Sequence, residues 1–272
     1  MITQLAACSG VAEPSTSATS SVNPPSVTPT PVRTPNPMAN PVIDGDFAVA
    51  ADGRTLHVVC WGKGSSTVLL ESGIPSDGLQ QFATYGYTFT SLIASRTRTC
   101  AYDRAGSGSA DPAPNKPRSL DDVTGDLHAL LAAAEINGPY VLVGSSGGGM
   151  IVTYYAAHYA DGVTGVVMLD VPAPSATLTL KEAPELAWDS PQNPEHLDIV
   201  PGFENRLAAE RFPFPAPLIV ITATGGQSNV ADQAFWLDWS PHASQIELSG
   251  GHDIYNSQPQ AVADQILGLL AR

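Results

Sequence analysis

The sequence predicts an α/β fold with a mostly parallel central sheet, helices on both faces and a small Pro-rich cap. Three observations carry that expectation. Beyond residue 97, short apolar runs alternate with segments of helical spacing, the pattern of a parallel sheet crossed over by helices. The run Tyr140-Val141-Leu142-Val143 leads through Gly144-Ser145-Ser146-Gly147-Gly148 into the helix-like 150–157, so strand, tight turn and helix follow one another directly. At 272 residues and 43% hydrophobic content the chain can bury one large core, and nothing in it demands a second domain.

The elements follow in order. Leu5-Ala6-Ala7-Cys8 resembles the lipobox of bacterial lipoproteins, which implies cleavage before Cys8, a diacylglyceryl group on it, export and a membrane tether at the cell surface. Seven residues precede Cys8 without a basic or apolar signal region, so a shortened signal or misplaced start is expected. The alternative is an unmodified cysteine in an Ala-rich start. Residues 9–41 are Ser, Thr and Pro with almost no large apolar side chain, too little to offset chain entropy, and read as an extended, disordered tether. The expected division is therefore 1–43 as signal and tether, and 44–272 as the folded domain with 172–217 as the cap insertion.

Strands are expected at 46–50, 55–60, 67–71 and 98–102. A helix opens at Ser119-Leu120-Asp121-Asp122, a capping-box-like start, places Val123, Leu127, Leu130 and Leu131 on one face, and stops at Asn137-Gly138-Pro139. Then come strand 140–143, helix 147–160, strand 165–170, strand 218–223, a helix near 230–239, strand 245–248 and a last helix opened by Pro259. The insert 172–217 is Pro-rich with scattered apolar residues, and is read as a cap over the sheet's C-terminal edge, with a plain surface excursion as the alternative.

A formal charge of -14 opposes nucleic acid or an anionic membrane surface as partner. No apolar run reaches the roughly 18 residues of a membrane span.

The chemistry centres on Ser146. A serine that attacks a carbonyl is best held on a sharp strand-to-helix turn, with small neighbours so that backbone can crowd close. The chain from Asp44 to Arg272 resembles the α/β-hydrolase family, carried by landmarks in family order. These are Leu69-Leu70-Glu71-Ser72-Gly73-Ile74 like its oxyanion loop, Asp103-Arg104-Ala105-Gly106-Ser107-Gly108-Ser109 like its D-R-x-G-x-G segment, the turn at Ser146, and Gly251-His252-Asp253 before the final helix. The resemblance implies the α/β-hydrolase fold, Ser146 as nucleophile and His252 as base. His57, His128, His158, His196 and His242 are read as structural.

The loop after Pro217-Leu218-Ile219-Val220-Ile221-Thr222 offers no carboxylate, and Asp170, closing the preceding strand, resembles the placement of the acid that some family members use; the resemblance implies Asp170 as triad acid, with Asp232, another carboxylate or none as alternatives and Asp253 structural. The Gly147 amide is one expected oxyanion donor, and the resemblance assigns the other to Ile74. Asp103 and Arg104 are expected to fix a turn. The family's sheet order also sets Cys60 beside Cys100, which implies a disulfide in an exported protein. The expectation is a serine esterase acting on a small-molecule ester through an acyl-enzyme, without metal or organic cofactor. Amide cleavage or acyl transfer on the same triad is one alternative, and a non-catalytic surface binding protein on a decayed hydrolase fold is another.

Overall fold

A computed structural model describes residues 36–175 and 177–270. Cys8 and most of the tether segment lie outside the described residues.

Eight strands form one sheet: β1 (Ile43–Ala48), β2 (Thr55–Trp61), β3 (Thr67–Glu71), β4 (Arg98–Asp103), β5 (Tyr140–Ser145), β6 (Val163–Leu169), β7 (Leu218–Gly225) and β8 (Ala243–Gly251). Their spatial order is β1-β2-β4-β3-β5-β6-β7-β8. β1, β2 and β4 pair antiparallel, and every pairing from β4 onward is parallel. This is the α/β-hydrolase fold that the sequence predicts. Strands covered on both faces have no polar side to show, and Val68, Leu69, Val141, Leu142 and Val143 are accordingly all fully buried.

Helices close both faces. On one, α2 (Leu120–Ala133) and α3 (Gly148–His158) set Leu127, Leu130, Ile151 and Val152 into a core shared with Trp236 and Trp239. On the other, α1 (Tyr87–Ala94) and α7 (Pro259–Leu270), which follows the one-turn α6 (Ile254–Ser257), set Phe89, Ile93, Val262 and Ile266 into a second core. α2 begins with a reciprocal capping box: Ser119 Oγ accepts from the Asp122 amide at 3.2 Å, and the Asp122 carboxylate accepts from the Ser119 amide at 2.9 Å.

The main departures from the sequence reading lie in three elements, besides shifted ends of β6 and β8. β1 starts three residues and ends two residues earlier than expected, because Ala50 to Gly53 form a turn, closed by a 3.0 Å bond from the Gly53 amide to the Ala50 carbonyl. α1 was not foreseen; its aromatic and β-branched start, Tyr87-Thr88-Phe89-Thr90, reads as strand. The expected helix at 230–239 divides into α5 (Val230–Gln233) and a tighter 3₁₀ turn over Ala234–Trp239. Three residues per turn bring Trp236 and Trp239 onto one face, and both are fully buried.

The insert carries a turn at Pro184–Leu186 and a short helix, α4 (Glu204–Ala209). Its Leu197, Val200, Phe203, Leu207 and Phe214 sink into the core on the α2 and α3 side. Cys60 and Cys100 are register partners of β2 and β4, with their sulfurs 2.09 Å apart. From β3 the chain crosses to β4 on one side, and from β5 it crosses to β6 on the other. The loops leaving β3 and β5 therefore diverge and open a crevice at the strands' C-terminal ends.

Candidate active site

Ser146 stands at that crevice, between the end of β5 and the start of α3. Its backbone is left-handed, with φ of 51°, a conformation that costs a non-glycine residue about 1–3 kcal/mol and persists only where the surroundings impose it. The Ser146 amide donates to Leu169 O at 3.0 Å, and the Ser146 carbonyl accepts from the Gly149 amide at 2.9 Å. The flanking glycines are a steric requirement. A Cβ on Gly144 would lie 2.6 Å from Gly149 Cα, and one on Gly148 would lie 2.3 Å from Ser72 O.

Asp170 follows β6 directly and is also left-handed, with φ of 47° and no exposed surface. His252 follows β8, and its Nδ1 lies 2.7 Å from Asp170 Oδ2. An ionised carboxylate only accepts, so Nδ1 carries the proton and Nε2 is left with its lone pair. Asp170 also accepts from Gln233 Nε2 at 2.8 Å and from the amides of Ala223 and Gln227, each at 3.2 Å. The loop that lacks a carboxylate thus supplies two amides to the acid one strand away. Burial alone would raise the Asp170 pKa, but the bond from His252 and then those from Gln233, Ala223 and Gln227 hold it below the ordinary carboxylate range. Asp232 is exposed and bonded to Asn229 at 2.6 Å, apart from the imidazole.

Ser146 and His252 line one cavity of about 450 Å³, together with Ile74, Tyr85, Gln227 and Tyr255. None of its lining residues comes from the insert. A cavity of about 500 Å³ lies between α2 and α3 near Tyr140, at the opposite end of β5 from Ser146. Ile74 packs on the turn so closely that a Cβ on Gly147 would lie 2.9 Å from Ile74 Cβ. Among the described residues, neither the Ile74 nor the Gly147 amide donates a backbone hydrogen bond outside helices and strands.

A second charged cluster, missed in the sequence, lies beneath the β3 loop. Arg104 is 1% exposed, and donates to Glu71 Oε1, to Glu195 through Nε and Nη2, to Ser72 O at 2.9 Å and to Gly73 O at 2.7 Å. Glu195, from the insert, also accepts from the Ser76 amide at 3.0 Å. Burial pushes the Glu71 carboxyl up, against the opposing pull of Arg104 and a bond from the Tyr102 hydroxyl, while nearby Glu195 adds repulsion. The Asp-Arg dipeptide was the available signal. Asp103 does fix a turn, accepting from the Leu79 and Ser109 amides at 2.7 and 2.8 Å, whereas Arg104 grips the backbone leading to Ile74. Of the other histidines, His57 bonds Asp46 at 2.7 Å and His128 stacks on Tyr159.

Residues 66–213 match the sequence profile of the alpha/beta hydrolase fold, and the chain belongs to that family. It is 29% identical over 160 residues to an uncharacterised protein of Schizosaccharomyces pombe, a stretch covering 50% of this chain and 29% of that protein. The chain spans under half the length of the curated relatives it matches. Among solved structures it is similar to a thermophilic esterase from Thermogutta terrifontis, at 19% identity and TM-score 0.64, covering 84% of this chain and 98% of that one. It is also similar to the enol-lactonase from Burkholderia xenovorans LB400, at 16% identity and TM-score 0.64, covering 83% and 100%. At these identities the structural likeness shows the fold alone.

Proposed function

We propose that this hydrolase-family protein cleaves carboxylic esters through an acyl-enzyme intermediate, with Ser146 as nucleophile, His252 as base and Asp170 as acid. The observation that carries the reading is the 2.7 Å bond from His252 to buried Asp170, on a ring that lines the same cavity as a left-handed serine. In this reading Ser146 Oγ attacks the ester carbon while His252 Nε2 takes its proton. The carbonyl π pair moves to oxygen, where the Ile74 and Gly147 amides receive the charge, each donor being worth about 3 kcal/mol. Collapse expels the alcohol with the proton from Nε2, and water repeats the sequence to release the acid.

The test is Ser146→Ala assayed on activated esters of increasing chain length. Turnover should fall by about four orders of magnitude or more with the fold intact, and a fluorophosphonate should label the parent and not the variant. Near-parental turnover in the variant would end the assignment. Labelling of the parent without ester turnover would favour acyl transfer or amide cleavage, and neither labelling nor turnover would favour a binding protein.

Export and a Cys60–Cys100 disulfide belong to the same proposal. Closing a loop of 40 residues could stabilise the fold by about 4 kcal/mol at the upper end. With Cys8 replaced, denatured non-reduced protein from an oxidising compartment should show no free thiol; two titratable thiols would refute the pairing. Incorporation of labelled fatty acid, lost in Cys8→Ser, would establish the lipid anchor.

A further inference from the structure

The cavity beside Ser146 is charged in one sense. Its lining includes Asp77, an exposed residue from the loop after β3, and Asp253, next to His252, and it includes no lysine or arginine. Neither carboxylate joins an ion pair among the described residues. Asp253 accepts one bond, from the Tyr255 hydroxyl at 3.2 Å, and is otherwise exposed. Burial is the main reason the Tyr255 phenol is held far from ionising, and the charges of Asp253 and Asp77 both add to it. Beyond the two aspartates and His252, the polar lining is uncharged and includes Gln81, Tyr85, Gln227 and Asn256.

Such a cavity discriminates by charge. Most acidic groups on a protein of net charge -14 face open solvent and keep it soluble. Asp77 and Asp253 are exposed as well, but they line the cavity that holds Ser146, so their field acts on whatever arm of a substrate enters it. A substrate carboxylate there would find two negative charges and no cation. A substrate ammonium would find two acceptors.

We propose that the site takes esters bearing a positive charge, on the acyl or the alcohol arm, with Asp77 and Asp253 as the specificity-determining residues. The inference rests on the ester-hydrolase reading above. The charge replaces neither the nucleophile nor the base; it holds one arm of the substrate while Ser146 reacts at the carbonyl.

The experiment compares isosteric esters. For the acyl arm these are the nitrophenyl esters of trimethylammonio-butyrate, of its tert-butyl carbon isostere and of glutarate. For the alcohol arm they are butyrylcholine and its neutral carbon isostere. At low ionic strength, kcat/KM for the cationic member of at least one pair should exceed that of its neutral isostere about tenfold, with the glutarate ester below neutral. The preference should shrink in high salt and fall to near parity in an Asp77→Asn, Asp253→Asn double variant. The pair that shows it identifies the charged arm. Equal rates within both pairs, preference for the glutarate ester, or a preference that survives the double variant would each overturn the inference while leaving the hydrolase reading standing. Absence of turnover on every ester together with no fluorophosphonate labelling would overturn both.

Discussion

Two carboxylate clusters flank Ser146, and they differ in what their cation can do. Under the β3 loop, Glu71 and Glu195 close on Arg104, whose guanidinium is permanently charged and buried. At the end of β6, Asp170 meets His252, whose side chain keeps 24% of its surface, and whose ring can gain and lose a proton. The first arrangement fixes backbone: one side chain ties Ser72, Gly73 and, through Glu195, Ser76. The second fixes a ring while leaving one nitrogen free to react. Charge that cannot move serves geometry, and charge that can move is what the proposed chemistry requires.

The largest effect that would break this division is on turnover. Asp170→Asn should lower kcat by about three to four orders of magnitude with KM little changed, because the acid sets the imidazole tautomer and stabilises the imidazolium. Asp232→Asn should leave kcat near the parental value. The reverse ranking in steady-state kinetics would show that the acid lies elsewhere.

Arg104→Met should act first on stability. Removing one partner from a buried ionic cluster costs about 3–5 kcal/mol, since two carboxyls then lie buried with no cation. Urea unfolding measures this, and a loss under about 1 kcal/mol would mean that the cluster is not what holds the loop. Glu195→Gln, which keeps its shape and an acceptor, should cost less.

The smallest effect is a pH signature. The folded-state pKa of Asp170 lies below the ordinary range, so its contribution to stability is fully present above the usual aspartate value of about 3.9 and is lost as pH falls through the lower folded value. The melting-temperature gap between the parent and Asp170→Asn should therefore narrow below about pH 4. A gap that fails to narrow there would contradict the direction of the shift.

The difference between the clusters also explains what could be read beforehand. The serine turn, the histidine after a late strand and an aspartate closing β6 are each tied to a strand end, and strand ends follow from local apolar patterning. The Asp170–His252 bond could thus be anticipated from chain order. Glu195 is 91 residues from Arg104, within Asn193-Pro194-Glu195-His196 of the irregular insert, where no periodicity places a side chain. Gln233 was hidden for another reason. A helix was expected there, but the change to a 3₁₀ turn at Ala234 depends on burying two tryptophans together. α1 was lost because its residues favour strand and only packing against α7 settles the matter.

Positions 146 and 170 hold non-glycine residues in left-handed backbone at the ends of adjacent strands. At each, a glycine would release about 1–3 kcal/mol of conformational penalty and return about 0.5–1 kcal/mol through greater freedom of the unfolded chain. Ser146→Gly would therefore silence the proposed nucleophile while leaving the fold as robust as before or more so. At position 146 a single substitution can thus give a sturdier, inert protein, whereas at position 170 the four hydrogen bonds that the side chain accepts offset the strain of its backbone.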